Sequence, residues 1–244
     1  MLTIFGVPKK SSPKIDRIQK NAVGSWKFIT DKVVLFGKDG YNLSYVYDTV
    51  YVPSVNVNEF GTPLLNSVFD LACGIVNAKY LMYTNCDMVY VDPINEIVEE
   101  ISHKYKEFLM VGRRWDVPDL HIRFNGPRVD KDDVLTQVNK TGKLHIWSGI
   151  DYFVFPKEVG IKLEMPSFAV GRVGFDNWII GKVKQLGITV IDATSRITAI
   201  HQDHDYEHVT GGRDWTRTGP EAVENLRLVN GVPLLTIRDA DVKL

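Results

Sequence analysis

Tyr80-Leu81-Met82-Tyr83-Thr84-Asn85-Cys86-Asp87-Met88-Val89-Tyr90-Val91-Asp92-Pro93 is the stretch around which the chain is organised. Residues 80–83 are an apolar run of the length of a buried strand. The run breaks into a polar tip, Thr84-Asn85-Cys86-Asp87, and a second apolar run follows at 88–91. Asp92-Pro93 then reads as a helix start, with Asp92 as N-cap and Pro93 in the first helical position. A carboxylate at the C-terminal end of a buried parallel strand lies where open α/β sheets bind ligands. The bland alternative is a strand end with a turn Asn and a capping Asp.

Outward from this stretch the pattern alternates. Residues 2–7 read as a first strand, and Ser12-Pro13 starts a helix whose Ile15, Ile18, Ala22, Trp26 and Ile29 share one face. Residues 32–37 form a second strand, closed by an Asp39-Gly40 turn. Strand, helix, strand at this spacing is a βαβ unit and predicts a parallel sheet. Residues 41–57 read as a short edge strand with a loop. Thr62-Pro63 reads as the next helix start, and Leu64, Leu65, Val68, Phe69, Ala72, Ile75 and Val76 as its apolar stripe. The helix after Pro93 leads to a strand at 108–112, ending in Arg113-Arg114-Trp115-Asp116. Two guanidinium groups there suit a diphosphate, though a surface ion pair is the plainer reading. Residues 121–143 are charged, with a turn at Asn125-Gly126-Pro127. In the apolar segment 144–155, Ser148-Gly149 permits close backbone approach by a ligand. Phe175 enters a helix closed by Gly187. Two strands, 188–191 and 197–200, deliver His201-Gln202-Asp203-His204-Asp205-Tyr206, and 234–237 reads as a last strand.

The bulk numbers exclude several classes. At 244 residues, 44% hydrophobic and 24% charged, the chain suits one large α/β domain. Its 29 basic and 30 acidic side chains leave a net charge of −1, which gives no footprint for a nucleic-acid or membrane-surface binder. Cys73 and Cys86 make neither a disulfide scaffold nor a zinc cluster and read as reduced thiols. No apolar run reaches a membrane span, and the N-terminal apolar stretch is too short for a signal peptide. A cytoplasmic protein is the expectation, which leaves the sequons at Asn42 and Asn139 without meaning.

The order of parts carries a resemblance. A βαβ start is followed by Asn85-Cys86-Asp87, Arg113-Arg114-Trp115-Asp116, Ser148-Gly149-Ile150-Asp151, Gly174-Phe175-Asp176-Asn177-Trp178, and then His201 with His204-Asp205-Tyr206. Gly219-Pro220-Glu221-Ala222, Asn225-Leu226 and Arg238-Asp239-Ala240 close the chain. This resembles the GT-A glycosyltransferase-like domain of nucleotide-diphospho-sugar transferases over nearly the whole length. The resemblance implies a single α/β domain with a mixed, mainly parallel central sheet flanked by helices. Residues 1–115 would form the nucleotide-binding half, 116–208 the acceptor side, and 209–244 a tail packed on the domain.

It also implies roles. Asp87 would be the metal carboxylate, with Asn85 standing where the family's Asp-x-Asp pattern has its first Asp. An Asp restored at 85 should keep or tighten donor binding. His201 would complete the metal shell, with His204 as the alternative. The metal would be Mn2+ or Mg2+, and the donor a nucleotide-diphosphate sugar. Arg113, Arg114, Ser148 and Gly149 would meet the donor. Asp176 would be the general base toward the acceptor hydroxyl of a glycan, lipid, protein or small molecule, with Asp151 the other candidate carboxylate. Two rival readings remain. A sugar nucleotidyltransferase would want a Gly-rich loop, where Pro8-Lys9-Lys10-Ser11-Ser12 has lysines and no glycine. A non-catalytic nucleotide- or carbohydrate-binding module on the same fold is the other.

Overall fold

The computed structural model describes residues 1–75, 77–125, 128–204 and 211–244. Val76, the 126–127 part of the expected turn, and Asp205 and Tyr206 lie outside them. In chain order the elements are β1 (Leu2–Gly6), α1 (Pro13–Ile29), β2 (Val33–Phe36), α2 (Tyr41–Tyr47), β3 (Val50–Val52), α3 (Leu65–Ile75), β4 (Tyr80–Thr84), β5 (Met88–Tyr90), α4 (Ile94–Lys104), β6 (Phe108–Val111) and β7 (Arg114–Val117). Then come the short strands β8 (Phe124–Asn125) and β9 (Arg128–Val129), followed by α5 (Lys131–Thr141), β10 (Lys143–Leu144), β11 (Tyr152–Pro156), α6 (Lys157–Lys162), α7 (Phe175–Gln185), β12 (Thr189–Asp192), β13 (Ala199–Gln202), α8 (Gly212–Thr218), α9 (Pro220–Leu228) and β14 (Val242–Lys243).

The main sheet has the order β14-β12-β6-β11-β4-β1-β2-β3. Every pairing in it is parallel except those of β11, which runs antiparallel between β4 and β6. This is the expected mixed, mainly parallel sheet flanked by helices. Its central strands are buried on both faces, which is why they read as continuous apolar runs. One core, with Phe5, Phe69, Phe153, Phe155 and Trp178, lies on one side; a second, with Trp26, Met82, Tyr90 and Tyr152, lies on the other.

A second sheet, β10-β7-β13-β5, builds the site. β5 and β13 are antiparallel with His201 opposite Met88, and β13 and β7 are parallel with His201 opposite Asp116. Its other face closes a small core of Val89, Val91, Val117, Val134, Val138 and Ile200. Helix α1 holds β5 in place: Trp26 Nε1 donates to the Met88 carbonyl (2.9 Å), and Ser25 Oγ accepts from the Tyr90 amide (3.2 Å).

Five local expectations are corrected. Residues 41–57 hold α2 as well as the edge strand β3, because β3 runs parallel to β2 and such a crossover suits a helix. Helix α3 begins at Leu65, not Pro63: Asn58 ties down the Thr62 backbone, and Pro63 and Leu64 form bridges to Val57 and Ala169. Asp92 does not cap α4; its carboxylate accepts from the Thr198 amide (2.6 Å) and Lys131 Nζ (2.9 Å). Arg114 does not end β6 but opens β7, after the chain leaves the main sheet at Gly112. Residues 234–237 are not a strand; Thr236 and Asp239 form a capping box around a 3-10 turn, and the last strand is β14.

Candidate functional site

Strands β1 and β4 run side by side and end together, so the loops after Gly6 and Thr84 converge. A Cβ at Gly6 would fall 2.7 Å from the Thr84 carbonyl and 3.0 Å from Cys86 Sγ, so only glycine allows this approach. The result places Lys9, from the first loop, on Asp87, from the second.

Asp87 is 3% exposed. Its Oδ2 is paired with Lys9 Nζ, contacts His204 Nε2 at 3.1 Å and faces His201 Nε2 at 3.6 Å. Its Oδ1 is buried and has no hydrogen-bond partner. Burial pushes the Asp87 carboxyl up, but Lys9 and His201 beside it outweigh this and hold it well below the ordinary value. The segment is fixed from behind by Gln202, whose side chain donates to the Asp87 and Ile18 carbonyls and accepts from Asn21 Nδ2 (2.8 Å).

The two histidines differ. His201 Nδ1 faces Asp116 Oδ1 (3.2 Å) and Asp203 Oδ1 (3.4 Å), while its Nε2 faces Asp87. Burial lowers its pKa, yet Asp87, Asp116 and Asp203 together carry it well above the ordinary value, so it is an imidazolium at neutral pH. His204 is pulled below its ordinary value by burial, with Lys9 adding to the effect against Asp87. Its ring is therefore neutral and able to donate a lone pair. Asp87, His201 and His204 bring one ligand atom each within 4.8 Å of one another; Asp116, His201 and Asp203 do the same. One carboxylate and two imidazoles suit a first-row divalent cation such as Mn2+, and the unpartnered Asp87 Oδ1 is an acceptor such an ion would satisfy. Binding through His201 requires release of its proton.

Arg114 links this cluster to the rest of the sheet edge. Its Nε donates to Asp116 Oδ1 (2.9 Å) and its Nη1 to Asp151 Oδ2 (2.6 Å). Asp151 Oδ1 accepts from Asn85 Nδ2 (2.7 Å), across the antiparallel β4–β11 pair. Both Asp151 oxygens are thus engaged. His145 Nδ1 closes on Asp116 Oδ2 (2.5 Å), and burial of Asp116 is outweighed by His145, His201 and Arg114, which hold its carboxyl low. Gly149 makes room for that imidazole: a Cβ there would sit 2.1 Å from the His145 ring. Ser148 lies beside it in the same partly buried loop. Arg113 points elsewhere, donating to the His145 carbonyl (2.7 Å) and stacking on Trp147 at 4.4 Å.

A cleft of about 590 Å³ opens over the second sheet, lined by Arg114, Asp116, His201, Asp203 and His204 and by the basic Lys14, Lys143 and Arg213. Asp176, at the head of α7, is not among its lining residues. Phe175 packs on Tyr83 and Phe153 (6.3 and 6.5 Å), which seats Asp176 near the end of β4. Burial, reinforced by the nearby Asp151 charge, raises the Asp176 carboxyl to about 7, against the bond it accepts from the Asn177 amide.

Asp87, His201 and Arg114, expected at strand ends along one sheet edge, and Asn85, His204 and Asp151, named as candidate site residues, form one connected network in the structure. Sequence reasoning missed Lys9 as a partner of Asp87, and His145 altogether; Asp203 lay inside the quoted 201–206 stretch without a role of its own. Asp116 lay inside a quoted motif without a role; the His145 position carried no local signal.

No protein-family model and no curated protein matches the chain. Solved structures do. S. aureus TarS (residues 1–349, in complex with UDP-GlcNAc) aligns at TM-score 0.55 and 11% identity, over 99% of this chain and 68% of that one. The bifunctional IspDF of Campylobacter jejuni gives 0.43 and 8%, over 79% of this chain and 49% of that one, so the chain spans about half of it. HddC of Yersinia pseudotuberculosis gives 0.41 and 11%, over 70% and 84%. The TarS likeness shows a shared GT-A-like fold along essentially the whole of this chain.

Proposed function

We propose that the chain is a metal-dependent glycosyltransferase that moves a sugar from a nucleotide-diphosphate sugar to an acceptor hydroxyl. The observation that carries this is the buried Asp87, with an unpartnered oxygen and two imidazoles beside it, at the strand ends of a fold shared with a TarS structure that holds UDP-GlcNAc. In this reading Asp87, His204 and His201 hold a Mn2+ or Mg2+ ion. When bound, that cation supplies Lewis-acid stabilisation of the leaving diphosphate. Residues 1–115 take the nucleotide, 116–208 the acceptor side, and 209–244 pack on the domain.

Arg114 is fixed by Asp116 and Asp151 and lines the cleft, where its remaining N–H groups would pair with phosphate oxygens. Asp151 positions Arg114 and Asn85. Arg113 and the 148–149 loop act on the donor through the segment that carries His145. Asp176 takes the proton of the acceptor hydroxyl as its oxygen bonds to the anomeric carbon and the bond from that carbon to the diphosphate breaks. A carboxyl raised to about 7 is matched to that task near neutral pH. The product has inverted configuration, and the nucleoside diphosphate leaves.

Calorimetric titration of UDP, GDP and dTDP, with and without Mn2+ or Mg2+, followed by a donor-hydrolysis assay, tests the reading. Metal-dependent binding that Asp87→Ala abolishes is expected. Equal binding by wild type and Asp87→Ala overturns it. The Lys9 ammonium on Asp87 favours a second reading, nucleotide binding without metal or turnover; metal-independent affinity and no donor hydrolysis would select that one.

A further inference from the structure

We infer that Lys9 is a resident counter-cation seated at Asp87 where a divalent ion would bind, so that such an ion and the Lys9 ammonium exclude one another there. The inference rests on the metal reading above and adds a competitor built into the chain.

Lys9 Nζ is paired with Asp87 Oδ2 and lies 3.2 Å from His204 Nε2, and those two atoms are themselves 3.1 Å apart. The ammonium therefore sits against the same carboxylate oxygen and the same ring nitrogen that would ligate a cation. An ammonium donates hydrogens to those lone pairs and a metal accepts the pairs directly, so each atom serves one or the other. Charge points the same way. The Asp87 side chain is 4% exposed and the His204 side chain 1%. A divalent ion arriving beside a retained ammonium would place three positive charges against one buried carboxylate.

The anchoring of Lys9 allows an exchange by side-chain motion. Its amide donates to Gln19 Oε1 (2.6 Å) and its carbonyl accepts from Gln19 Nε2 (3.2 Å), so the backbone is clamped to α1 on both sides. The side chain keeps 19% exposure, which gives the ammonium a route out. Its four rotatable bonds let it leave Asp87 while the loop stays in place.

Two measurements test this, neither of them turnover. In wild type, amine acetylation at Lys9, read by mass spectrometry, is slow without metal and rises several-fold at saturating Mg2+, while Lys106 is unchanged. In Lys9→Met, Mn2+ binding followed by electron paramagnetic resonance tightens by about tenfold or more, because the ion no longer displaces a buried ion pair. Lys9 labelling that does not respond to bound metal overturns the inference even if Lys9→Met fails to fold. Equal or weaker Mn2+ binding by a folded Lys9→Met overturns it too, while leaving the metal reading intact. Absence of Mn2+ binding from both proteins removes both. Binding by Lys9→Met alone supports both.

Discussion

Replacing Asp176 by Asn separates a base from a cap through stability as well as rate. The Asp176 carboxyl is raised from 3.8 to about 7, first by burial and then by Asp151. Between these values the folded protein holds a proton that the unfolded chain has released. Unfolding free energy from this group therefore falls as pH rises from about 4 to 7, and the full penalty applies above 7. A shift of about three units corresponds to roughly 4 kcal/mol, at 1.36 kcal/mol per unit. Asn keeps an oxygen for the Asn177 amide, which Asp176 Oδ1 accepts at 2.9 Å, and carries no charge. Asp176→Asn is therefore expected to be more stable than wild type by roughly 4 kcal/mol at pH 8, and by almost nothing at pH 4. It should bind donor normally and lose transfer by about a hundredfold or more. Urea denaturation of both proteins at pH 4, 6 and 8, with transfer assayed on the same samples, checks this. A stability difference that does not grow with pH would refute the buried, raised carboxyl, and normal transfer by a stable variant would reduce Asp176 to a structural residue.

Four further outcomes follow from the network around Arg114. Arg114→Met strands Asp116 and Asp151 without their shared partner, and should cost about 3–5 kcal/mol in urea unfolding while weakening nucleotide affinity. Arg113→Ala removes the stack on Trp147 and should leave calorimetric nucleotide affinity much closer to wild type. Gly149→Ala drives a methyl into the His145 ring and off its Asp116 bond, a loss of about 1–3 kcal/mol visible as a lowered melting temperature. With the Asn85 amide donating to Asp151, Asn85→Asp sets two carboxylates together and should destabilise the fold by about 1–3 kcal/mol, measured by the same denaturation.

The legible parts of this chain are those whose physics is local. The α1 face read from period 3.6, Ile15, Ile18, Ala22, Trp26 and Ile29, is the buried face, and Ser12 caps the helix as its sequence suggests. The central strands were legible because both their faces are buried. The second sheet was not, since β5, β7, β10 and β13 are two to four residues long and come from four distant segments. Its register alone sets Asp116 beside His201, and no local pattern encodes a register between strands some eighty residues apart. Asn85 shows the same limit from the other side. Read against an Asp-x-Asp pattern it is a lost charge; read across the β4–β11 pair it is the donor that Asp151 requires, while Arg114 satisfies the other oxygen. The second carboxylate of the edge has not vanished but is supplied by a neighbouring strand, spent on orienting Arg114 rather than on a cation. Asp87 with its histidines keeps an unpartnered oxygen that a cation would satisfy, and the charges that balance Asp87 are Lys9, brought in by the loop after Gly6, and His201.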